Sequence, residues 1–196
     1  MAKLFFDYGA MDSGKTTYII QTHYNYRQKG MNPAIVKPAT DLKAGNRIRS
    51  RIGLEAEVDF LVTPDDDVYQ LLREVETRFN VVLVDEAQFL TRAQVDQLFE
   101  LVTLDSIPVM CFGLRTDFTG NPFPGSQRLL ELAHEIRERK TICRCGAKAT
   151  MNARKVNGVF ITEGDQVAID GIDAEYESLC GKCFMKYVGS IAALAR

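Results

Sequence analysis

The sequence lacks the excess of positive charge that is typical of nucleic-acid-binding proteins. Its 24 Lys and Arg residues are outnumbered by 26 Asp and Glu residues, which gives a formal net charge of -2. A surface that holds duplex nucleic acid needs a concentrated positive patch, so this balance argues against nucleic acid as a partner. It does not exclude a small anionic ligand, because one local pocket is enough to bind it.

Long hydrophobic runs are absent as well. No stretch approaches the roughly 18 apolar residues of a membrane-spanning helix, and the N-terminus has no basic leader, apolar segment or cleavage site typical of secretion. We therefore expect a cytoplasmic protein with no membrane partner. The chain has 196 residues, of which 46% are hydrophobic, and this suffices for one globular domain and a small second module.

The sequence does contain a regular alternation of apolar strands and amphipathic helices. Such alternation predicts a parallel sheet with helices packed against it, which is an α/β fold. We predict polar loops over 40–53 and 113–125. The predicted strands cover 3–8, 33–37, 80–85 and 107–112, and the predicted helices cover 13–29, 64–79, 91–104 and 126–138.

The character of the sequence changes at Thr141, where paired cysteines, glycines and short β-like runs begin. We place a domain boundary near residue 140. It separates an α/β domain at 1–140 from a smaller module at 141–196. Because no Gly/Ser-rich linker joins the two parts, we expect the module to be docked on the domain.

The segment after the first predicted strand has the spacing of a phosphate-binding loop, G-x-x-x-x-G-K-[ST]. The glycines allow a tight turn whose N–H groups point at phosphate oxygens, Lys15 adds a positive charge, and the Thr16 hydroxyl is suited to Mg2+. The helix that follows directs its positive dipole end at the same place. We predict that this loop binds a nucleoside triphosphate with Mg2+. Its members are Gly9, Ala10, Met11, Asp12, Ser13, Gly14, Lys15 and Thr16.

Two acidic residues, Asp85 and Glu86, follow the apolar run VVLV. At the carboxyl end of a parallel strand, Asp85 is placed to hold Mg2+, although a strand-terminal Asp also often caps the next segment. Glu86 is placed to accept a proton from the oxygen that attacks the γ-phosphate. That oxygen belongs to water in an ATPase and to a substrate hydroxyl in a kinase, and the acidic pair does not distinguish these reactions.

The sequence DEAQ at 85–88 also resembles a helicase motif. A nucleic-acid-dependent P-loop ATPase is therefore the alternative function. Such motors generally need two nucleotide-binding lobes, and this chain has length for one. Its acidic balance also fits poorly with a channel for a single strand.

Four of the five cysteines form two close pairs. Cys143 and Cys145 form C-x-C, and Cys180 and Cys183 form C-x-x-C. Four thiolates close a tetrahedral zinc site with no open position, so we predict a structural Zn2+, with reduced free cysteines as the alternative. Cys111 lies in an apolar run and is interpreted as a buried core thiol.

Together these motifs make the sequence similar to the type II thymidine kinases over nearly its whole length. The resemblance rests on G-x-M-x-S-G-K-T at 9–16, D-E-A-Q-F at 85–89, G-L-R-T-D-F at 113–118, P-F-P-G-S at 122–126, the cysteine pairs, and Tyr176 four residues before Cys180. It implies a P-loop, RecA-like parallel sheet with flanking helices, plus a small zinc-binding β module with a lasso-like loop. It also implies transfer of the ATP γ-phosphate to the 5′-hydroxyl of thymidine, in salvage of a DNA precursor.

The resemblance also implies roles for individual residues. Glu86 is similar to the family's general base, and Arg154 to an arginine near the transferred phosphate. Thr16 and Asp85 match the two Mg2+ positions. The residues that match the nucleoside site, with Asp41 at the ribose 3′-hydroxyl, are Met11, Asp41, Phe89, Leu114, Phe118, Phe123, Val167, Ile169, Gly171 and Tyr176. The family further implies a homotetramer and feedback inhibition by thymidine triphosphate.

From the residues alone, the aromatic side chains of the 113–125 loop have a second interpretation, which is local packing of a long loop. The sequence also departs from the family pattern twice. The first cysteine pair is C-x-C where C-x-x-C is common, so Cys143 is the least secure of the four ligands. Asp41 is followed by Leu-Lys, where an Arg is common two positions on. The candidates for that charge are Lys43, Arg47, Arg49 and Arg51.

Overall fold

A parallel β-sheet organises the fold. The computed structural model describes residues 1–39, 45–166 and 174–189. Its strands are β1 (Leu4–Tyr8), β2 (Pro33–Pro38), β3 (Arg47–Arg49), β4 (Glu55–Glu57), β5 (Phe60–Val62), β6 (Val81–Val84), β7 (Val109–Gly113), β8 (Glu135–Glu138), β9 (Thr141–Ile142), β10 (Lys148–Ala149), β11 (Met151–Val156), β12 (Val159–Ile161) and β13 (Ala174–Leu179). Its helices are α1 (Lys15–Gln28), α2 (Val68–Arg73), α3 (Arg92–Leu104), α4 (Pro124–Leu132) and α5 (Gly181–Tyr187), and a 3-10 turn covers Ala87–Phe89.

Within the described residues, six strands pair in parallel in the order β5-β2-β6-β7-β1-β8. The predicted α/β fold is therefore confirmed. The order places β6, β7 and β1 side by side, so the segments that follow them begin at one edge of the sheet. These segments start at Asp85, Leu114 and Gly9, and the edge where they meet is the place where ligands bind in open α/β sheets.

Strand β6 shows how both faces of the sheet become covered. All four side chains of Val81–Val84 are buried. Val82 and Val84 belong to an apolar cluster that includes residues of α2, α3 and α4, such as Leu98. Val81 and Leu83 belong to a second cluster that includes Ile19 of α1. The alternation follows from the two-residue period of a strand and explains why the sequence is apolar at every position.

The predicted helix at 126–138 is wrong in its second half. Helix α4 ends at Leu132, and Glu135–Glu138 forms the edge strand β8, which pairs with β1. The sequence EIRE carries charges that are typical of a solvated helix face. The segment forms a strand instead because the backbone of β1 provides hydrogen-bond partners for it. The first of these bonds is donated by the His134 N–H to the Leu4 carbonyl, at 2.8 Å. An edge strand also tolerates charged side chains.

Two other predictions need correction. The helix predicted at 64–79 shrinks to Val68–Arg73, which begins where the Asp67 side chain accepts the Gln70 N–H. The loop predicted at 40–53 contains strand β3, which pairs with β4 in an antiparallel hairpin. Strands β3, β4 and β5 have three residues each, too short to produce a periodic signal. The remaining predicted strands and helices agree with the structure to within two residues at each end.

The region after residue 140 forms small antiparallel sheets. Among the described residues, β9 pairs with β10, and β11 lies between β12 and β13. One of the short β-like runs predicted after Thr141, KVNGVFI at 155–161, lies in the β11–β12 hairpin. Its turn residues Asn157 and Gly158 both have positive φ, as a tight hairpin requires. Helix α5 follows β13 directly and begins at the Cys180 N-cap. No helix of the described segments combines the length and apolar character needed to cross a membrane.

Candidate active site

The glycine-rich loop connects β1 to α1 at the carboxyl edge of the sheet. Gly14 caps α1 with a φ of 73°, a left-handed conformation that glycine adopts without strain. Gly9 donates its N–H to the Gly113 carbonyl at 3.2 Å. A Cβ at Gly9 would collide with the Arg139 carbonyl oxygen and would lie 2.5 Å from Ser13 Oγ. The two glycines of the motif therefore allow the loop to wrap closely. Gly14 does so because it adopts a left-handed conformation, and Gly9 because it has no side chain.

Lys15 lies inside this loop. Its Nζ donates to the Gly9 and Ala10 carbonyls at 2.9 Å and to Ser13 Oγ at 3.2 Å. Burial lowers the pKa of Lys15, while the nearby Glu86 and Asp85 carboxylates raise it in part. The ammonium is thus held among backbone carbonyls, within a loop whose geometry suits a polyphosphate.

Asp85 and Thr16 meet across the start of α1. The Thr16 hydroxyl donates to Asp85 Oδ2 at 3.1 Å. Asp85 is buried, and this burial, together with the charge of Glu86 beside it, raises the pKa of Asp85 to about 7. A hydroxyl and a carboxylate in contact form the oxygen-rich donor set that Mg2+ prefers, so the predicted pair of Mg2+ ligands fits that ion chemically.

Glu86 stands in an unusual backbone conformation. Its φ of 50° is left-handed, and its N–H donates to Asp85 Oδ1 at 3.1 Å. Gln88 donates from Nε2 to Glu86 Oε2, while its Oε1 accepts the Leu114 N–H at 3.0 Å. Gln88 therefore orients Glu86 and ties it to the segment after β7. Gln88 was not predicted as a site residue, and its signal in the sequence is a polar amide within the otherwise apolar turn AQF.

A cavity of about 320 Å³ opens between the loop and the β3–β4 hairpin. It is lined by residues 11–17 of the loop, by Glu86 and Leu114, and by residues 49–52 of the hairpin. Among the basic candidates of the hairpin segment, Arg49 and Arg51 line it. Arg47 pairs with Glu55 at 3.2 Å and with Glu57 at 3.5 Å instead. Lys43 and Asp41 lie outside the described residues.

Only part of the predicted apolar wall lines this cavity. Leu114, Phe118 and Phe123 are buried, and the Phe89 and Phe123 rings meet edge to face with centroids 5.5 Å apart. Met11 and Leu114 line the cavity itself. The contact between Phe89 and Phe123 supports the interpretation of local packing, and contact of the loop aromatics with a base stays a prediction.

Arg154 is nearly enclosed. Its Nε donates to the Tyr176 hydroxyl at 2.9 Å, and its two terminal nitrogens donate to the Asp165 and Gln166 carbonyls at 2.8 and 2.9 Å. Its guanidinium lies 4.0 Å from the centre of the Phe118 ring. Arg154 thus holds the segment that ends at Gln166. Three residues that were predicted to belong to the nucleoside site, Val167, Ile169 and Gly171, lie outside the described residues.

Two further residues join the region after 140 to the loop. The Met11 N–H donates to Asn152 Oδ1 at 2.8 Å, and Ser178 Oγ donates to the Met11 carbonyl at 2.6 Å. Asn152 lies on β11 and Ser178 on the adjacent β13. These contacts were not predicted, because no local pattern relates residues 141 and 167 positions apart in the chain.

The four paired cysteines converge at one point. The Sγ atoms of Cys143, Cys145, Cys180 and Cys183 all lie within 4.8 Å of one another. Ligands about 2.3 Å from a tetrahedral zinc ion are separated by roughly 3.8 Å, so the set fits Zn2+. The C-x-C pair, including Cys143, belongs to it. Cys111 lies apart in β7, where burial raises the pKa of its thiol, and the prediction of a core cysteine is confirmed.

Comparison with known proteins gives a consistent result. The family model described as thymidine kinase matches residues 2–184. A thymidine kinase of Legionella pneumophila (strain Lens) is 48% identical over 95% of this chain and 90% of its own length. A thymidine kinase of Ruegeria pomeroyi is 48% identical over 98% of each chain. One from Vibrio parahaemolyticus is 46% identical over 96% of this chain and its own full length.

Proposed function

The chain belongs to the thymidine kinase family, and we propose which role each of its site residues has in the reaction of that family. It is an ATP:thymidine 5′-phosphotransferase, which transfers the γ-phosphoryl group of ATP to the 5′-hydroxyl of thymidine and yields thymidine monophosphate. The comparisons favour this reaction over the alternative of a nucleic-acid-dependent ATPase. The single observation that carries the division of roles is the convergence of Lys15, Thr16, Asp85 and Glu86 at one edge of the sheet.

The Gly9–Thr16 loop would hold the phosphates of ATP. Its backbone N–H groups and the Lys15 ammonium supply positive charge, and the N-terminus of α1 adds its dipole. Thr16 and Asp85 would hold Mg2+, which when bound neutralises charge on the β- and γ-phosphates. Catalysis in such a site consists mainly of positioning and electrostatic stabilisation of the transferred group.

Glu86 would act as general base for the thymidine 5′-hydroxyl. Its position directly after Asp85, its link to Gln88 and its place on the cavity wall support this role. The nucleoside would lie beyond it, against Met11, Leu114 and the aromatic side chains of the 113–125 loop. Arg154 and Tyr176 would support the segment that ends at Gln166. The family resemblance also implies a catalytic role for Arg154 near the transferred phosphate, and that role stays a proposal.

The cysteine set would hold one structural Zn2+. A closed four-sulfur site leaves no position for substrate, so its contribution would be to the folding of the region after residue 140. The homotetramer and the feedback inhibition by thymidine triphosphate remain proposals that rest on the family resemblance. The division into domains at 1–140 and 141–196 and the cytoplasmic location remain proposals that rest on the sequence pattern.

The role of Glu86 predicts a specific kinetic change. Glu86→Gln should lower kcat for thymidine by about two to four powers of ten, because the amide cannot accept the hydroxyl proton. ATP should still bind, since Gln has nearly the same size and the change removes a negative charge beside the phosphates. The measurement is steady-state kinetics with product identified by mass, together with ATP binding in the absence of nucleoside.

Glu76→Gln, at an exposed position that does not line the cavity, is the matched control and should behave as the native enzyme. Undiminished turnover in Glu86→Gln would remove this residue from the mechanism. A panel of nucleosides tests the reaction itself, because hydrolysis of ATP that responds to single-stranded nucleic acid and not to thymidine would favour the alternative function.

A further inference from the structure

The phosphate-binding loop contains one acidic residue, Asp12. A carboxylate in this position opposes the function of the loop, because it repels a polyphosphate over a distance of a few ångströms. Asp12 has a φ of 63° and lines the cavity together with residues 13–17. Its side chain is 41% exposed, so water screens part of its charge without removing it.

Arg51 of the hairpin segment compensates for this charge. Its Nη1 forms an ion pair with Asp12 Oδ1, and its Nη2 lies 3.7 Å from Met11 Sδ. Burial is the main cause that lowers the pKa of Lys15, but Asp12 raises this pKa and Arg51 lowers it. The charges of Asp12 and Arg51 therefore both affect the Lys15 ammonium, which we propose contacts the phosphates.

The other arginines of the hairpin have a different kind of partner. Arg49 pairs with Glu55 at 2.7 Å, within the hairpin, and Arg47 pairs with both Glu55 and Glu57. Those pairs hold β3 against β4. The partner of Arg51 belongs to the phosphate loop, and the Arg51 side chain is 61% exposed. A phosphate that enters the cavity can therefore compete for Arg51 while the cross-strand pairs of the hairpin stay in place.

We propose that Arg51 is an exchangeable phosphate ligand, which pairs with Asp12 in the free loop and transfers its guanidinium to the phosphates of a bound nucleoside triphosphate. This rests on the proposed role of the loop in binding ATP. Among the basic residues left open by the sequence, it assigns the contact to Arg51. Asp12 then has a defined effect: it lowers the affinity for ATP both by repulsion and by competition for the same guanidinium.

Exchange has a thermodynamic signature in a double-mutant cycle, measured as the Kd of ATP with Mg2+ and no nucleoside. Arg51→Gln should raise this Kd about four-fold in the native background and about ten-fold in the Asp12→Asn background, where no pair has to be broken. Asp12→Asn alone should lower the Kd about five-fold, but only about two-fold when Arg51 is already Gln.

The matched control is Arg49→Gln, on the same hairpin and the same cavity wall. It should change the Kd less than Arg51→Gln does, and equally in both backgrounds. Additive effects of Asp12→Asn and Arg51→Gln, or an unchanged Kd in Arg51→Gln, would overturn the exchange. If the native enzyme itself failed to bind ATP, the proposed role of the loop would fall as well, so the two failures are distinguishable.

Discussion

Gly125 allows the turn that follows the acidic pair to pack closely against α4. It lies in the first turn of α4, where an added Cβ would be 2.5 Å from the Ala87 carbonyl oxygen and 2.7 Å from that of Leu90. Both oxygens belong to the turn that carries Glu86 and Gln88. Glycine is thus required here for close approach and not for an unusual φ, and the turn can sit directly against α4.

Gly125→Ala should therefore destabilise the enzyme by about 1–3 kcal/mol, because backbone oxygens have to move to make room. It should also lower kcat, since the displaced turn carries Glu86. The measurements are the urea midpoint and steady-state kinetics. Gly181→Ala is the control, because nothing among the described residues lies within 4 Å of its added Cβ. Equal stability of the two variants would contradict the close approach.

At the scale of elements, strands β11 and β13 both hydrogen-bond to one residue of the phosphate loop, Met11. Asn152 accepts from the Met11 N–H and Ser178 donates to the Met11 carbonyl, so both polar groups of one residue are bound by adjacent strands. Met11 also lines the cavity. The two strands thereby position the boundary between the phosphate loop and the predicted nucleoside wall.

Asn152→Ala should raise the KM for thymidine and for ATP together, since it releases a peptide that borders both proposed sites. It also leaves the partly buried Met11 N–H without its acceptor, at a cost of about 1 kcal/mol. Amide hydrogen exchange at Met11 gives a direct measurement and should accelerate. Asn25→Ala on the exposed face of α1 is the control. Unchanged exchange at Met11 would show that the contact does not order the loop.

At the scale of the whole molecule, the cysteine cluster and the phosphate loop are physically connected. Ser178 stands two residues before Cys180, on the strand that leads to the cluster. If a zinc ion supplies folding free energy to this region, its removal should loosen β13 and release Met11. The effect would reach the loop through backbone and hydrogen bonds, without any direct role of the metal in the reaction.

We expect chelation of zinc, or Cys183→Ser, to increase hydrogen exchange across 141–189 and to abolish most activity, while the parallel sheet keeps its protection. Metal analysis of enzyme purified under reducing conditions should give one zinc per chain. Cys111→Ala, in the sheet and outside the cluster, is the control and should retain its zinc. Protein without zinc but with full activity would refute the structural metal.

Patterns among neighbouring residues are enough to predict several parts of this enzyme. The turn at Gly9–Thr16, the acidic pair after β6 and the cysteine spacing are local patterns, and each is recognisable because its chemistry needs those residues at those intervals. Long apolar elements such as β6 and α3 are predictable for the same reason, since a strand covered on both faces and an amphipathic helix have characteristic compositions.

The features that join distant segments depend on how the elements are arranged in three dimensions. The segment EIRE forms an edge strand because it pairs with the backbone of β1, although its charged side chains are typical of a solvated helix. Gln88 became the partner of Glu86 and Leu114, and Asn152 and Ser178 became partners of Met11, through folding of the chain. The pairing of Arg51 with Asp12 likewise depends on where the hairpin packs. The physical reason is that local propensity acts over a few residues, whereas these contacts depend on the positions of elements far apart in the chain.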